Sequence, residues 1–191
     1  MRYEKGHKHL TRQRIVEVAS RQFREHGVAA VGIAGIMADA GLTNGAFYAH
    51  FDSKEDLVRE VLSHAGFRNK LSKAAENGTG LEGAIRDYLS QNHRDNPGQG
   101  CPTSALVAEI ARHPKATRDA FTGKVDDVIE LIAAALSAET EAERRRKAVA
   151  IYALMVGTLQ LARAVNDKRL SGEILLSGAE EAVALAGPSG K

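Results

Sequence analysis

The sequence predicts an all-α protein, and three observations carry that prediction. Nearly every segment spaces its apolar residues at helical period, and no sustained period-two alternation argues for a sheet. Breakers also fall at helix-length intervals: Gly27, Gly41, the stretches NGTG (77–80) and NPGQG (96–100), and His113 with Pro114. The chain's 191 residues leave room for a small module and a larger bundle, at roughly 100 to 200 residues per domain. A composition of 43% hydrophobic and 26% charged residues belongs to an ordinary globular chain.

Taken in order, the first helix is expected over 10–26. Thr11 is its N-cap, Leu10 and Ile15 form a hydrophobic staple, Ile15, Ala19 and Phe23 are its buried stripe, and Gly27 is its left-handed stop. A short second helix over 33–40 turns Ile36, Met37 and Ala40 inward and stops at Gly41. Thr43 then stands where it can cap a third helix, with Leu42 before the cap and Phe47 four residues on, so the staple spacing recurs. Ser53 caps a long fourth helix reaching about Lys70, with Asp56 at the reciprocal capping-box position and Leu57, Val58, Val61 and Leu62 as its apolar face. Five further helices are expected over 81–93, 103–112, 115–136, 141–165 and 171–185, which makes about nine in all. The helix holding AVAIYALMVGTLQLARAV (148–165) is apolar nearly all round and so needs contact on more than one side, most simply from a second subunit.

Charge and cysteine usage exclude several classes. The formal net charge is only +2, but residues 1–26 hold seven Lys or Arg against three acids, which makes a basic leading segment. One cysteine, Cys101, rules out an intrachain disulfide and a Cys-based zinc cage within one chain. His7 and His9 in the leading segment lack further ligands, so no metal and no cofactor is expected. The N-terminus lacks an apolar signal region, and the most apolar run (148–156) is too short to span a bilayer. A soluble cytoplasmic protein is expected. No nucleophile elbow, P-loop, dinucleotide loop or paired metal motif appears, so no enzyme is expected.

Two short helices joined by a Gly turn describe a helix-turn-helix, whose second helix enters the DNA major groove. The small residues Asn44, Gly45 and Ala46 let the backbone approach the groove, and Tyr48 can donate its hydroxyl to a phosphate. Lys54 lies in a first helical turn, where a nearby anion would explain a cation. Phe47 and Phe51 read as core. His50 is left open between a contact and simple packing. The run 144–147 reads as a solvated helix face.

On these residues the stretch TRQRIVEVASRQFREHGVAAVGIAGIMADAGLTNGAFYAHFDSKEDLV (11–58) resembles the DNA-binding domain of the TetR family of bacterial one-component regulators. The likeness covers about the first quarter of the chain and is most specific in GLTNGAFYAHFDSKEDL. It implies a homodimer on a pseudo-palindromic operator, with an N-terminal helix-turn-helix domain (1–55), an effector-binding and dimerisation bundle (56–186) and a disordered tail (187–191). It carries Thr43, Asn44, Tyr48, His50 and Lys54 to DNA-contacting or cap positions and Ala46 to the groove-facing surface. Gly32 and Gly35 depart from the family's common pattern, in which hydroxyl and polar residues stand there, and this puts a phosphate contact from the second helix in doubt. The stretch QGCPTSALVAEIARHP (99–114) is similar to a segment found in a subset of the family.

The implied function is a ligand-responsive repressor released from its operator by a small molecule. The expected effector pocket draws on Phe67, Tyr88, Cys101, Phe121 and Tyr152, and the expected dimer interface on Tyr152, Leu159, Leu175, Leu176 and Val183. Two alternatives are a reactive-species sensor acting through Cys101, which precedes Pro102 at a helix start, and a helical adaptor that binds no DNA.

Overall fold

The computed structural model describes residues 2–63, 67–137 and 140–187, with side chains from residue 7 onward. Among these, the chain forms ten α-helices and two 3-10 helices and no strand. The expected tail, from residue 188 on, lies outside the described residues.

Helix α1 (Arg2–His26) begins well before the expected start. Thr11 is therefore not a cap: its hydroxyl donates to the His7 carbonyl at 2.9 Å, the bond of a threonine inside a helix to the turn before it. No staple forms either, because Leu10 lies on the solvent side with 64% of its surface exposed. The predicted stripe of Ile15, Ala19 and Phe23 is fully buried, and Gly27 ends the helix in the left-handed region at φ 81°.

Helix α2 (Ile33–Asp39) closes with a Schellman motif. Gly41 takes φ 67°, its N–H donates to the Ala38 carbonyl at 2.9 Å, and the Leu42 N–H donates to the Met37 carbonyl at 2.8 Å. The segment after this turn is a 3-10 helix (Asn44–Ala49) and not the expected α-helix. Six residues that begin with the poor helix formers Asn44 and Gly45 suit the short 3-10 form.

The expected fourth helix is two: α3 (Lys54–Ser63) and α4 (Phe67–Glu76). Ser53 caps α3 as predicted, accepting the Asp56 N–H at 3.1 Å, while the Asp56 carboxylate reaches back to the Asp52 N–H at 3.3 Å. The next expected helix is also divided, into α5 (Gly80–Tyr88) and α6 (Gln91–Asp95). Ser90 starts the second piece by accepting the His93 N–H at 3.2 Å. After a 3-10 turn (Pro97–Gln99) come α7 (Pro102–Ile110), α8 (Lys115–Ala134), α9 (Glu141–Ala164) and α10 (Lys168–Ala186).

Two apolar cores organise these elements. One gathers α1 to α3 around Phe23, Phe47 and Phe51, runs through Leu62, and takes in Leu106 and Ile110 of α7. The other lies among α4, α5 and α8 to α10, around Tyr88, Ile132, Met155 and Leu159. Helices α9 and α10 pack closely: a Cβ at Gly178 would come within 2.4 Å of the Thr158 side chain.

This packing corrects part of the expected dimer surface. Tyr152, Leu159 and Leu175 are buried within the protomer, because α9 turns one apolar face to α10 and α8. Val183 is half-buried, and Leu176 remains 59% exposed. Val149 and Leu161 on α9 are exposed as well, so the all-round apolar helix keeps a second face free.

Candidate nucleic-acid interface and the cavity behind it

The geometry of the reading head follows from where its rings point. Phe47 is fully buried and stacks on Phe51 at 5.5 Å between centroids. That anchor fixes the 3-10 helix against the core and leaves its other side outward. Tyr48 meets Phe47 edge-on at 5.3 Å, and 65% of its surface faces solvent. Thr43, Asn44 and Gly45 are exposed beside it, with Ala46 half-buried. Thr43 occupies the N-cap position with extended backbone but makes no side-chain cap bond. The structure thus brings Thr43, Asn44, Gly45, Ala46 and Tyr48 onto one exposed element.

His50 and Lys54 sit differently. His50 closes the segment half-buried, and its Nδ1 is enclosed without a hydrogen-bond partner. Burial, then the nearby charges of Lys8 and Arg12, lower its pKa, so the ring is neutral. Lys54 donates from Nζ to the Val28 carbonyl at 2.5 Å, in the turn that follows α1. A protein carbonyl therefore accounts for the cation in this first turn, and two of the lysine's N–H donors are left.

Several positioning residues carry no local sequence signal. The Arg12 guanidinium lies over the Phe51 ring, 4.1 Å from its centroid, and donates to the Glu60 carboxylate and the His50 carbonyl. It thereby joins α1, the end of the 3-10 helix and α3. Glu109 of α7 accepts the Val28 N–H at 2.8 Å and the Ala29 N–H at 2.6 Å, which fastens the loop between α1 and α2 to the second half of the chain. Glu55 of α3 accepts from the Thr117 hydroxyl at 2.6 Å and contacts His113 Nδ1 at 2.9 Å. Burial opposes the charge on that carboxylate, yet the Thr117 and His113 contacts outweigh it and hold the pKa below the ordinary value.

Behind this junction lies a cavity of about 440 Å³, a size that suits a small ligand. Phe67, Tyr88 and Cys101 line it. Tyr152 does not. It lines a separate void of about 10 Å³, room for about one water molecule, and its hydroxyl donates to Thr103 Oγ1 at 2.8 Å. Phe121 is a second correction: it packs against the N-terminal core, because its place on α8 faces the reading head.

His93 organises the cavity floor. Its Nδ1 lies 2.6 Å from the Tyr88 carbonyl and its Nε2 lies 2.9 Å from the Cys101 backbone nitrogen. A carbonyl can only accept and a backbone N–H can only donate, so the proton sits on Nδ1. Burial is the main force that pushes the imidazole down to about 4. There is no room for a side chain at Gly100, where a Cβ would lie 2.5 Å from His93 Nε2.

Comparison with known proteins places this architecture. Residues 15–61, which span the Schellman turn, the 3-10 helix and most of α3, match the family described as bacterial regulatory proteins, tetR family. That segment of the chain is a TetR-family DNA-binding domain. The chain is 29% identical to the HTH-type transcriptional regulator TtgR of Pseudomonas putida over 167 residues, 86% of this chain and 70% of that one. A solved TetR-family transcriptional regulator from Streptomyces coelicolor shares 27% identity at a TM-score of 0.64, covering 93% of this chain and 96% of the other. The reduced form of Escherichia coli NemR shares the fold at a TM-score of 0.69, with 23% identity over 90% of this chain and 94% of its own. The relatives this chain matches along most of its length are helix-turn-helix transcriptional regulators.

Proposed function

We propose that this chain is a homodimeric repressor which binds a pseudo-palindromic operator and is released by a small-molecule effector. The observation that carries this reading is the outward face of the 3-10 helix: an exposed tyrosine, an unused threonine hydroxyl and two small residues on an element anchored from behind by Phe47. Tyr48, Thr43 and Lys54 take phosphates, which set register, and Asn44 reads a base edge. Gly45 and Ala46 keep the backbone near the groove. His50 serves from behind, where its neutral, half-buried ring packs and its carbonyl holds Arg12. Gly32 caps α2 with backbone alone, so α2 adds no hydroxyl to the phosphate contacts.

Selection of bound sequences from a random duplex pool tests the reading. The expected result is enrichment of an inverted repeat, and retention of DNA with no sequence enrichment would remove it. A non-covalent effector fits Cys101, which is 4% exposed and starts α7 with its backbone N–H held by His93. Cys101→Ser is therefore expected to keep effector-driven operator release, measured by fluorescence anisotropy. Loss of that release would favour a thiol-based sensor.

A further inference from the structure

The cavity is polar and cationic, whereas the sequence pointed to rings. At its open side Arg24, Lys70 and Lys73 face one carboxylate, Asp87, and Lys70 already pairs with it. Lys73 is exposed and has no partner among the described residues. Arg24 is half-buried, and only neutral oxygens satisfy it: Ser20 Oγ, and the Gly98 carbonyl, which accepts from Nε at 2.9 Å and from the second amino group at 2.5 Å. None of the ion pairs among the described residues includes it. Burial lowers the pKa of Arg24, and Glu25 is the nearby carboxylate that favours its charge but does not hydrogen-bond it, so an arriving anion that pairs with it directly relieves part of the cost of desolvation. On the inner wall Tyr88 is fully buried and meets the Phe67 ring at 5.9 Å, and its hydroxyl lies among Cys101 and Ser104, its polar neighbours, without a well-aligned hydrogen bond.

We infer that this cavity binds a small aromatic anion, its carboxylate or phosphate taken by Lys73 and Arg24 and its ring set against Phe67 and Tyr88. The inference rests on the reading of the chain as a ligand-responsive regulator and adds the chemical class of the effector. It also supplies a route to the reading head. Arg24 belongs to α1, so an anion that draws its guanidinium off the Gly98 carbonyl undoes a tie between α1 and the 97–99 turn. Glu109, at the other end of α7, holds the loop that leads into α2. Occupancy of the cavity and the pose of the reading head thus share one short stretch of chain.

The test is calorimetric titration of the full chain, without DNA, with matched pairs: benzoate against benzamide, phenylacetate against phenylacetamide, phenyl phosphate against phenol. The acids are expected to bind at least about tenfold more tightly than their neutral partners, the worth of one charge-assisted hydrogen bond. The better acid tells whether carboxylate or phosphate is preferred. Lys73→Gln is expected to remove most of that difference while the neutral compounds bind as before. Lys115→Gln, the same charge change on an exposed side chain outside the cavity, should leave the difference intact. Equal binding of acids and neutral partners, or no binding of any acid up to about 10 mM, overturns the inference. Operator affinity is measured separately by anisotropy. A chain that binds its operator but ignores the acids overturns the inference and leaves the regulator reading standing. A chain that takes the acids but selects no DNA supports the cavity and removes the regulator reading.

Discussion

Lys54 occupies a first helical turn, where a cation is disfavoured by roughly 0.3 to 1 kcal/mol, and the Val28 carbonyl offsets that. With two donors left for a phosphate, Lys54→Ala is expected to weaken binding equally on every DNA sequence and to lower the log salt slope by roughly 0.9. Tyr48→Phe removes a neutral donor and should leave the slope alone. A base-specific change from Lys54→Ala, read by anisotropy on single-substitution operators, would contradict the phosphate role. His93 gives a second prediction at this scale. Its folded pKa is about 4 against an ordinary 6.5, so the unfolded chain takes up a proton first as pH falls. Stability from this group is complete above about pH 6.5, is lost between there and pH 4, and changes no further below, where both states are protonated. The loss is on the order of 2 to 3 kcal/mol, and urea denaturation from pH 7.5 to 4.5 measures it. His93→Gln should flatten the decline between pH 6.5 and 5; an unchanged slope in that variant would assign the loss to other groups.

Among the elements, those fixed by short-range chemistry were legible in the sequence and those fixed by long-range bonds were not. The Gly41 stop, the Ser53 cap and the inward faces of α1, α2 and α3 depend on residues within one or two turns, and each appears where the pattern puts it. The start of α1 lies earlier than its sequence suggests because a threonine can bond backward inside a helix as readily as it can cap one. Of the candidate DNA contacts, the exposed run from Thr43 to Tyr48 was visible in its spacing, since Phe47 must turn inward and its neighbours outward. The Lys54 bond to Val28 was not, because its partner lies 26 residues away. The same holds for Glu109, separated from Val28 and Ala29 by 81 and 80 residues. Glu109→Ala leaves the buried Val28 N–H unpaired, so a stability loss of about 1 to 3 kcal/mol is expected. The α1–α2 loop loosens with it, and operator affinity should fall by more than the unfolded fraction explains. Denaturation and anisotropy on the same preparation check this; a stability loss with operator affinity intact would show that α7 does not restrain the reading head.

At the scale of the whole molecule, the sequence could show that α9 carries apolar residues on too many sides for one neighbour, but it could not divide those sides between α10 and a second subunit. The fold makes that division. Ile151, Tyr152, Met155 and Leu159 are spent inside the protomer, while Val149 and Leu161 on α9 and Leu176 on α10 remain exposed. Large aliphatic side chains on the last two helices are where a two-fold partner would pack, since an isologous interface needs one patch that meets its own copy. Such a pairing sets two reading heads about 34 to 36 Å apart, one turn of B-DNA, and the operator half-sites must match that spacing. Leu176→Asp is the sharper probe, because its side chain already faces solvent and a charge there costs the isolated protomer little. In sedimentation velocity at micromolar concentration the parent chain is expected as a dimer and Leu176→Asp as mostly monomer. Leu175→Asp, in contrast, buries a charge in the protomer's own core and should unfold it. Operator affinity should fall with dimer content in Leu176→Asp, while binding to an isolated half-site stays as weak as in the parent. A Leu176→Asp chain that remains dimeric would move the interface off this face of α10, and a monomeric parent would remove the inverted-repeat geometry altogether.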